Sequence, residues 1–173
     1  MLKNYLFAIL MLCFSSAFAQ PKPSIFEVAR SGSLAEVELL YKQNPKVVNE
    51  INNEGYSPLI LACYRGNVDV AKFLINNGAD INYNNAMGTA LMAGVAKGNI
   101  EIVKLLVSKN AAIELTDANG TNALIYAVQF KNLALVSFLL ENNADKTKVD
   151  INGKTAFEYA VFSGNQEIIN ILK

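Results

Sequence analysis

Histidine is absent from the 173-residue chain, which removes the commonest general base and the commonest metal ligand together. A Ser-His-Asp or Cys-His arrangement is therefore impossible. Cysteine is nearly absent as well: Cys13 falls in an apolar N-terminal run, and Cys63 is left with no intramolecular disulfide partner once that run is removed. Charge is sparse and balanced, 15 basic against 15 acidic side chains and 17% of the chain in all, so no long-range field gathers nucleic acid or an anionic membrane surface. No segment has EF-hand spacing, and the glycines do not form a phosphate-cradling G-x-x-x-x-G-K-[ST] loop. The sequence thus assigns no cofactor, no metal and no catalytic residue.

What is present is apolar. Such residues make up 52% of the chain, ample for one continuous core and against a disordered one. Asn takes much of the polar surface, and its richness together with Ile suggests an AT-rich bacterial genome. The first residues read as an export signal over 1–19: Lys3 and the free amine give a basic start, Leu6 to Phe14 are mostly apolar, and Ala17-Phe18-Ala19 offers small residues for cleavage. The run is far shorter than the roughly 20 residues of a membrane span, and Pro21 and Pro23 follow it. An uncleaved anchor and lipidation of Cys13 are the alternatives; Met11 and Leu12 stand where a lipoprotein signal has small residues. No membrane span is expected in the remaining chain, 20–173.

That remainder repeats itself. Four copies begin at Gly55-Tyr56-Ser57-Pro58-Leu59, Thr89-Ala90-Leu91, Gly120-Thr121-Asn122-Ala123-Leu124 and Gly153-Lys154-Thr155-Ala156-Phe157. From Pro58 to Ala90 is 32 residues, and from Ala90 to Ala123 and Ala123 to Ala156 is 33, a period that implies a solenoid. Small residues recur at Ala62, Gly94, Ala127 and Ala160 and are expected to let first helices approach closely, followed by turns at Gly66-Asn67, Gly98-Asn99, Lys131-Asn132 and Gly164-Asn165. A degraded fifth copy opens the series at Ser24.

These motifs resemble the ankyrin-repeat family, with its G-x-T-P-L-x-x-A, then G-x-x-x-x-V-x-x-L-L, then G-A-D-x-N; Gly78-Ala79-Asp80-Ile81-Asn82 matches the last piece in full. The resemblance covers residues 24–173 and implies an all-α solenoid of about five stacked helix-turn-helix repeats with short β-turn fingers. The repeats fall at 24–52 (N-terminal cap), 53–84, 85–116, 117–149 and 150–173 (C-terminal cap). The usual T-P-L-H histidine is replaced by Ile60, Met92, Ile125 and Glu158.

Local chemistry places the helices. Ser24, Ser57, Thr89, Asn122 and Thr155 are suited to cap first helices, with capping-box spacing at Ser24/Glu27, Ser33/Glu36 and Thr155/Glu158. Gly32, Gly66, Gly98 and Gly164 are expected to end first helices in a left-handed conformation, and Lys131 in that place predicts a strained turn. Second helices are expected at about 68–75, 100–107, 133–140 and 166–172. Cys63 reads as a core thiol, and Asp117, Asp145 and Asp150 as turn residues that bond their own backbone. Lys173, where other copies carry Ile75, Val107 and Leu140, reads as a polar end, so the free chain is expected to be a monomer.

The resemblance implies a non-catalytic module that binds another protein with its finger tips and first helices. Positions flanking the turns then point to a groove: Glu54, Tyr56, Tyr64 and Arg65, followed by Lys97, Gln129, Phe130 and Phe162. Aromatic and Arg side chains at solvent-facing positions are the usual anchors of interfaces. The bland alternative for Phe130 and Phe162 is that they fold back over the next repeat. With an export signal, the expected place is the periplasm, or outside the cell, and the expected partner is an envelope enzyme that is inhibited, protected or stabilised. A secreted effector that binds host or prey proteins is the alternative. Intact-mass measurement of the exported protein should show a chain beginning at Gln20; a mass retaining Met1 to Ala19, or a diacyl adduct on Cys13, refutes the assignment.

Overall fold

A hairpin of two short helices has apolar side chains on a face too wide for the hairpin itself to cover, and the fold is the answer to that problem. A computed structural model describes residues 22–173, so the expected signal over 1–19 lies outside the described residues. Five helical hairpins follow: α1 (Ile25–Ser31) with α2 (Leu34–Gln43), α3 (Pro58–Arg65) with α4 (Val68–Asn76), α5 (Ala90–Ala96) with α6 (Ile100–Ser108), α7 (Ala123–Gln129) with α8 (Leu133–Glu141), and α9 (Ala156–Ser163) with α10 (Gln166–Leu172). The odd-numbered helices pack one on the next to form one layer. The even-numbered helices form the other, and the core lies between, with Leu59, Leu74, Leu91, Ile102, Leu106, Leu124, Leu135, Leu139 and Ile168 fully enclosed.

Each helix starts where its cap dictates. Ser24, Ser57, Thr89, Asn122 and Thr155 all accept a bond from the backbone N–H three residues on, and the three expected capping boxes are closed on both sides. Pro58 occupies the first turn of α3, where its missing N–H leaves nothing unpaired. Second helices begin at Asn: Asn99, Asn132 and Asn165 cap α6, α8 and α10. Asn67 differs, for it caps nothing and instead donates its side-chain amide to Gly32 O at 2.9 Å, tying α4 to the preceding hairpin.

The turns follow the expectation with one correction. Gly66, Gly98 and Gly164 have φ of 75°, 69° and 66°, and Lys131 is held in the same left-handed region at 54°, a conformation that costs a side-chain-bearing residue about 1–2 kcal/mol. Gly32 does not: its φ of −82° and ψ of 176° are extended backbone. Glycine is needed there for space instead, since a Cβ would approach Val28 Cα to 2.6 Å. A 3-10 turn, Pro45–Asn49, then replaces the regular connection to the second hairpin.

Between hairpins the chain reaches out in fingers, and side chains lash each to the next. Asn49 accepts from Asp80 N and donates to Gly78 O; Asn82 accepts from Ala112 N, and Glu114 from Asp145 N, each bond spanning 29 to 31 residues. The third finger is a two-stranded antiparallel hairpin, β1 (Asn84–Asn85) against β2 (Gly88–Thr89), with Asn85 facing Gly88. The two fingers that follow it are aspartate turns. Asp117 Oδ1 accepts from Asn119 N and Thr121 N, and Asp150 Oδ1 from Asn152 N and Lys154 N. The Tyr159 hydroxyl donates to the other oxygen of Asp150, and this bond first of all holds the Asp150 carboxyl down at about 2. Asp145 is held low in the same way, by the Thr147 hydroxyl.

Stability therefore resides in contacts between hairpins, and Leu106, wholly enclosed on α6, is the place to test it. Leu106→Ala should cost about 2–5 kcal/mol. Lys109→Ala, exposed just beyond α6, should change stability by less than about 0.5 kcal/mol. Urea titrations showing comparable effects at the two positions would refute this partition.

Candidate functional site

The copies are superimposable position by position, so a cleft in the stack has to come from a copy that departs from the others. Leu61, Ala93, Tyr126 and Tyr159 share one position of the first helices; Tyr64, Ala96, Gln129 and Phe162 share another; Arg65, Lys97, Phe130 and Ser163 a third. In the third copy the first two positions are both Ala. A cleft of about 420 Å³ opens above them, floored by Met92, Ala93 and Ala96, with Tyr56, Leu61, Tyr64 and Arg65 on one side and Tyr126 and Phe130 on the other. Arg30, Glu54 and Met87 close its rim.

The third finger also contributes. It is one residue shorter than its neighbours, which makes it a tight hairpin whose tip carries Met87, 62% exposed. Gly88 has φ of 100°, a conformation that side-chain-bearing residues rarely adopt, and a Cβ there would also displace Met92 Sδ. Two methionines thus meet the cleft from above and below. Their unbranched thioether side chains adapt to the shape of what they touch.

The walls are stiffer. Tyr126 and Phe130, one turn apart on and just after α7, stack with centroids 6.1 Å apart and planes 7° from parallel. The Tyr126 hydroxyl donates to Asp117 Oδ2 at 2.9 Å, and burial, with that bond second, pushes its pKa up to about 12. Tyr64, 51% exposed, projects from the end of α3 with two cations over its ring: the Arg65 guanidinium 5.9 Å and the Lys97 ammonium 5.6 Å from the centroid. Such contacts hold cations beside an aromatic surface at about 0.5–1 kcal/mol each when exposed. Arg30 is engaged with Glu54 at 3.6 Å.

Of the eight residues marked by the sequence, Glu54, Tyr56, Tyr64, Arg65 and Phe130 line this one cleft. Lys97 joins it through the Tyr64 ring. Gln129, exposed at the end of α7 beside Phe130, does not line it, and Phe162, one copy further along and 89% exposed, sits under the Lys154 ammonium at 5.9 Å. Neither Phe130 nor Phe162 is folded into the core; Phe130 is 54% exposed. Tyr56 is corrected in the other direction. It is half-buried and packs against the core as well as the cleft, because its backbone N–H is drawn in by Asn52 Oδ1. The sequence reading missed Ala93, Ala96, Met87, Met92 and Tyr126. Aligning the copies for their differences, with paired Ala where the others carry larger side chains, is the signal that finds them.

Chemistry of bond making has little to work with here. Cys63 is fully enclosed and burial pushes its thiol well above the ordinary range, away from a reactive thiolate. Among the described residues no group of three or more Cys, Asp or Glu is placed to hold a metal ion, and no helix is long and apolar enough to cross a membrane. Every buried side-chain nitrogen or oxygen among them has a hydrogen-bond partner. The cleft is a contact surface: apolar floor, aromatic walls, cationic lip.

A family model described as ankyrin repeats (3 copies) matches residues 25–117 and again 91–173. Among known proteins, the Ankyrin repeat and SAM domain-containing protein 6 of Rattus norvegicus is similar, 34% identical over 73 residues, which is 41% of this chain and 8% of that protein. Alpha-latrocrustotoxin-Lt1a of Latrodectus tredecimguttatus is 38% identical over 60 residues, 35% of this chain and 4% of that toxin. The matched span is thus less than a tenth of either relative's length.

The raised pKa of Tyr126 gives the cleft wall a pH signature. A hydroxyl that ionises at about 12 when folded and at 10 when unfolded adds stability fully present below pH 10, lost as pH rises towards 12. The parent should therefore lose more of its unfolding free energy between pH 8 and pH 11.5 than Tyr126→Phe does, in urea titrations at the two pH values. Equal losses would mean that the hydroxyl is not held as described.

Proposed function

The chain belongs to the ankyrin-repeat family, whose repeats are protein-protein interaction modules and in general not catalytic, and from that premise we propose that it binds an enzyme of the cell envelope through the cleft above Ala93 and Ala96. The observation that carries the reading is the cleft itself. Aromatic side chains with two cations beside them stand exposed at one place on a rigid stack, and Tyr and Arg are the side chains that dominate binding energy at interfaces. The walls are braced before any partner arrives, which spares the ordering cost of association.

Location in the envelope rests on the leader of Met1 to Ala19, with its basic start, short apolar run and small residues at the cleavage site. An exported binding module with no catalytic constellation acts by occupying its partner, and inhibition, protection or stabilisation of a neighbouring enzyme are the ways in which occupation has an effect. The same leader is compatible with release from the cell, and an effector that binds host or prey proteins is the second reading. Cell fractionation separates the two: recovery mainly from culture fluid or from another cell favours the effector.

The partner should co-purify with the tagged protein from the periplasm. Tyr64→Ala or Arg65→Glu should weaken its binding by roughly 1–4 kcal/mol, the range of interface hot spots, while the urea midpoint stays nearly unchanged, both side chains being exposed. A partner bound as tightly by both variants as by the parent would rule out this cleft as the anchor.

A further inference from the structure

The charges around the cleft are unevenly spent. On one side Arg30 is satisfied by Glu54. On the other, Arg65 and Lys97 converge on the Tyr64 ring, and among the described residues neither has a carboxylate within 4 Å. The chain as a whole is neutral, 15 against 15, yet this lip presents two cations at one ring with no carboxylate partner among the described residues. Two like charges near one ring repel each other modestly in water, and an anion bound at this lip lowers that repulsion while gaining attraction from both.

The floor itself, Met92, Ala93 and Ala96, carries no side-chain nitrogen or oxygen. Thr89 Oγ1 is occupied by Met92 N, and the Tyr126 hydroxyl by Asp117. The floor of Met92, Ala93 and Ala96 therefore rewards an apolar group and gives a polar one nothing to bond. Its size suits side chains: an apolar cavity of about 150 Å³ accepts benzene, so about 420 Å³ leaves room for more than one large apolar side chain from an entering segment. Met87 at the finger tip can close over it.

We infer that the cleft recognises a protein segment in which a bulky apolar side chain is followed or preceded, within a residue or two, by Asp or Glu: the apolar group seats on Met92, Ala93 and Ala96, and the carboxylate is held at the lip by the charges of Arg65 and Lys97. This rests on the reading of the cleft as the binding face and specifies what it selects. The third copy is the selective one because its two alanines stand where the flanking copies place Tyr or Leu, and Tyr or Gln. Restoring the side chains of those copies fills the seat.

The test is a selection of random short peptides displayed on phage against the purified protein immobilised by a C-terminal tag. Enriched peptides should share an apolar residue next to, or one removed from, Asp or Glu. As free peptides they should lose about tenfold or more in affinity to Ala93→Tyr, a side chain that Tyr126 and Tyr159 show the position to tolerate, and to Ala96→Gln, the residue of the next copy. Selection repeated on the double variant Arg65→Glu with Lys97→Glu should replace the acidic residue of the consensus by Lys or Arg. Unchanged urea midpoints confirm that each variant is folded. Peptides that need the cleft but show no acidic preference, or an acidic preference that survives the double charge reversal, overturn this inference and leave protein binding at the cleft standing. Peptides whose affinity none of the cleft variants reduces overturn both, and enrichment of nothing above the uncoated support overturns the inference.

Discussion

Everything in this molecule depends on the burial of one hairpin's apolar face by the next. A helix of seven to ten residues is too short to be stable alone in water, and a pair of them leaves Leu, Ile and Val exposed on both outer sides. Stacking removes that surface from water repeatedly, at about 25 cal/mol for each Å², and the gain is shared between neighbours. No single hairpin owns its stability. The arrangement also explains why the Asn residues matter. Asn67 ties the second hairpin to Gly32 O, Asn49 and Asn82 take backbone donors from the finger one repeat later, and Asn99, Asn132 and Asn165 cap second helices. What reads as genomic bias in composition acts in the fold as the polar stitching between units.

Regular stacking makes a smooth surface, and recognition needs an irregular one. The third copy supplies it by breaking three local rules at once: a finger shortened by one residue, a glycine inside α5 at Gly94, and two alanines where its neighbours place large side chains. Gly94 costs about 1 kcal/mol relative to Ala in a helix. Its space is nevertheless used, because a Cβ there would stand 3.2 Å from Ile102 Cγ2 and 3.3 Å from Val103 Cγ2. Gly94 thus serves the fit of α5 to its own α6. The expected role, close approach between successive first helices, is not what constrains it. Departures of this kind cluster where a protein does something besides fold.

The two copies that follow do the opposite. Tyr126 and Tyr159 each reach from a first helix to the aspartate of the finger before it, Asp117 and Asp150, so those fingers are tied both to their own backbone turn and to the helix layer. The third copy has Ala93 in that place and forgoes the brace. Its finger is held by the β1–β2 pairing and by its Ala86 O accepting from Ala118 N of the next finger. One wall of the cleft is rigid and the lid over it is a short hairpin with a methionine at its tip. A rigid wall facing an adaptable lid suits capture of a segment whose shape varies.

The period of 32 to 33 residues, the capping side chains and the turn positions were enough to place nine of the ten described helices to within one or two residues, and the start of α2, and to name the family. Those signals are local or repeated, so each copy corroborates the others. Five of the eight residues marked in the sequence line one cleft, having been picked out as aromatic and charged side chains at fixed register. What the tertiary structure decided is the cleft. Its seat is made of residues too small to attract notice, Ala93 and Ala96, and it exists only because Tyr64 on one helix and Tyr126 and Phe130 on the next but one stand above them across a distance set by the stack. The structure alone also showed that Gly32 is there for space and not for a left-handed turn, that Tyr56 is drawn half into the core, and that Gln129 and Phe162 stand outside the cleft. Each of these depends on what lies opposite a residue in space, and a repeat pattern specifies the residue's register but not its neighbour's volume.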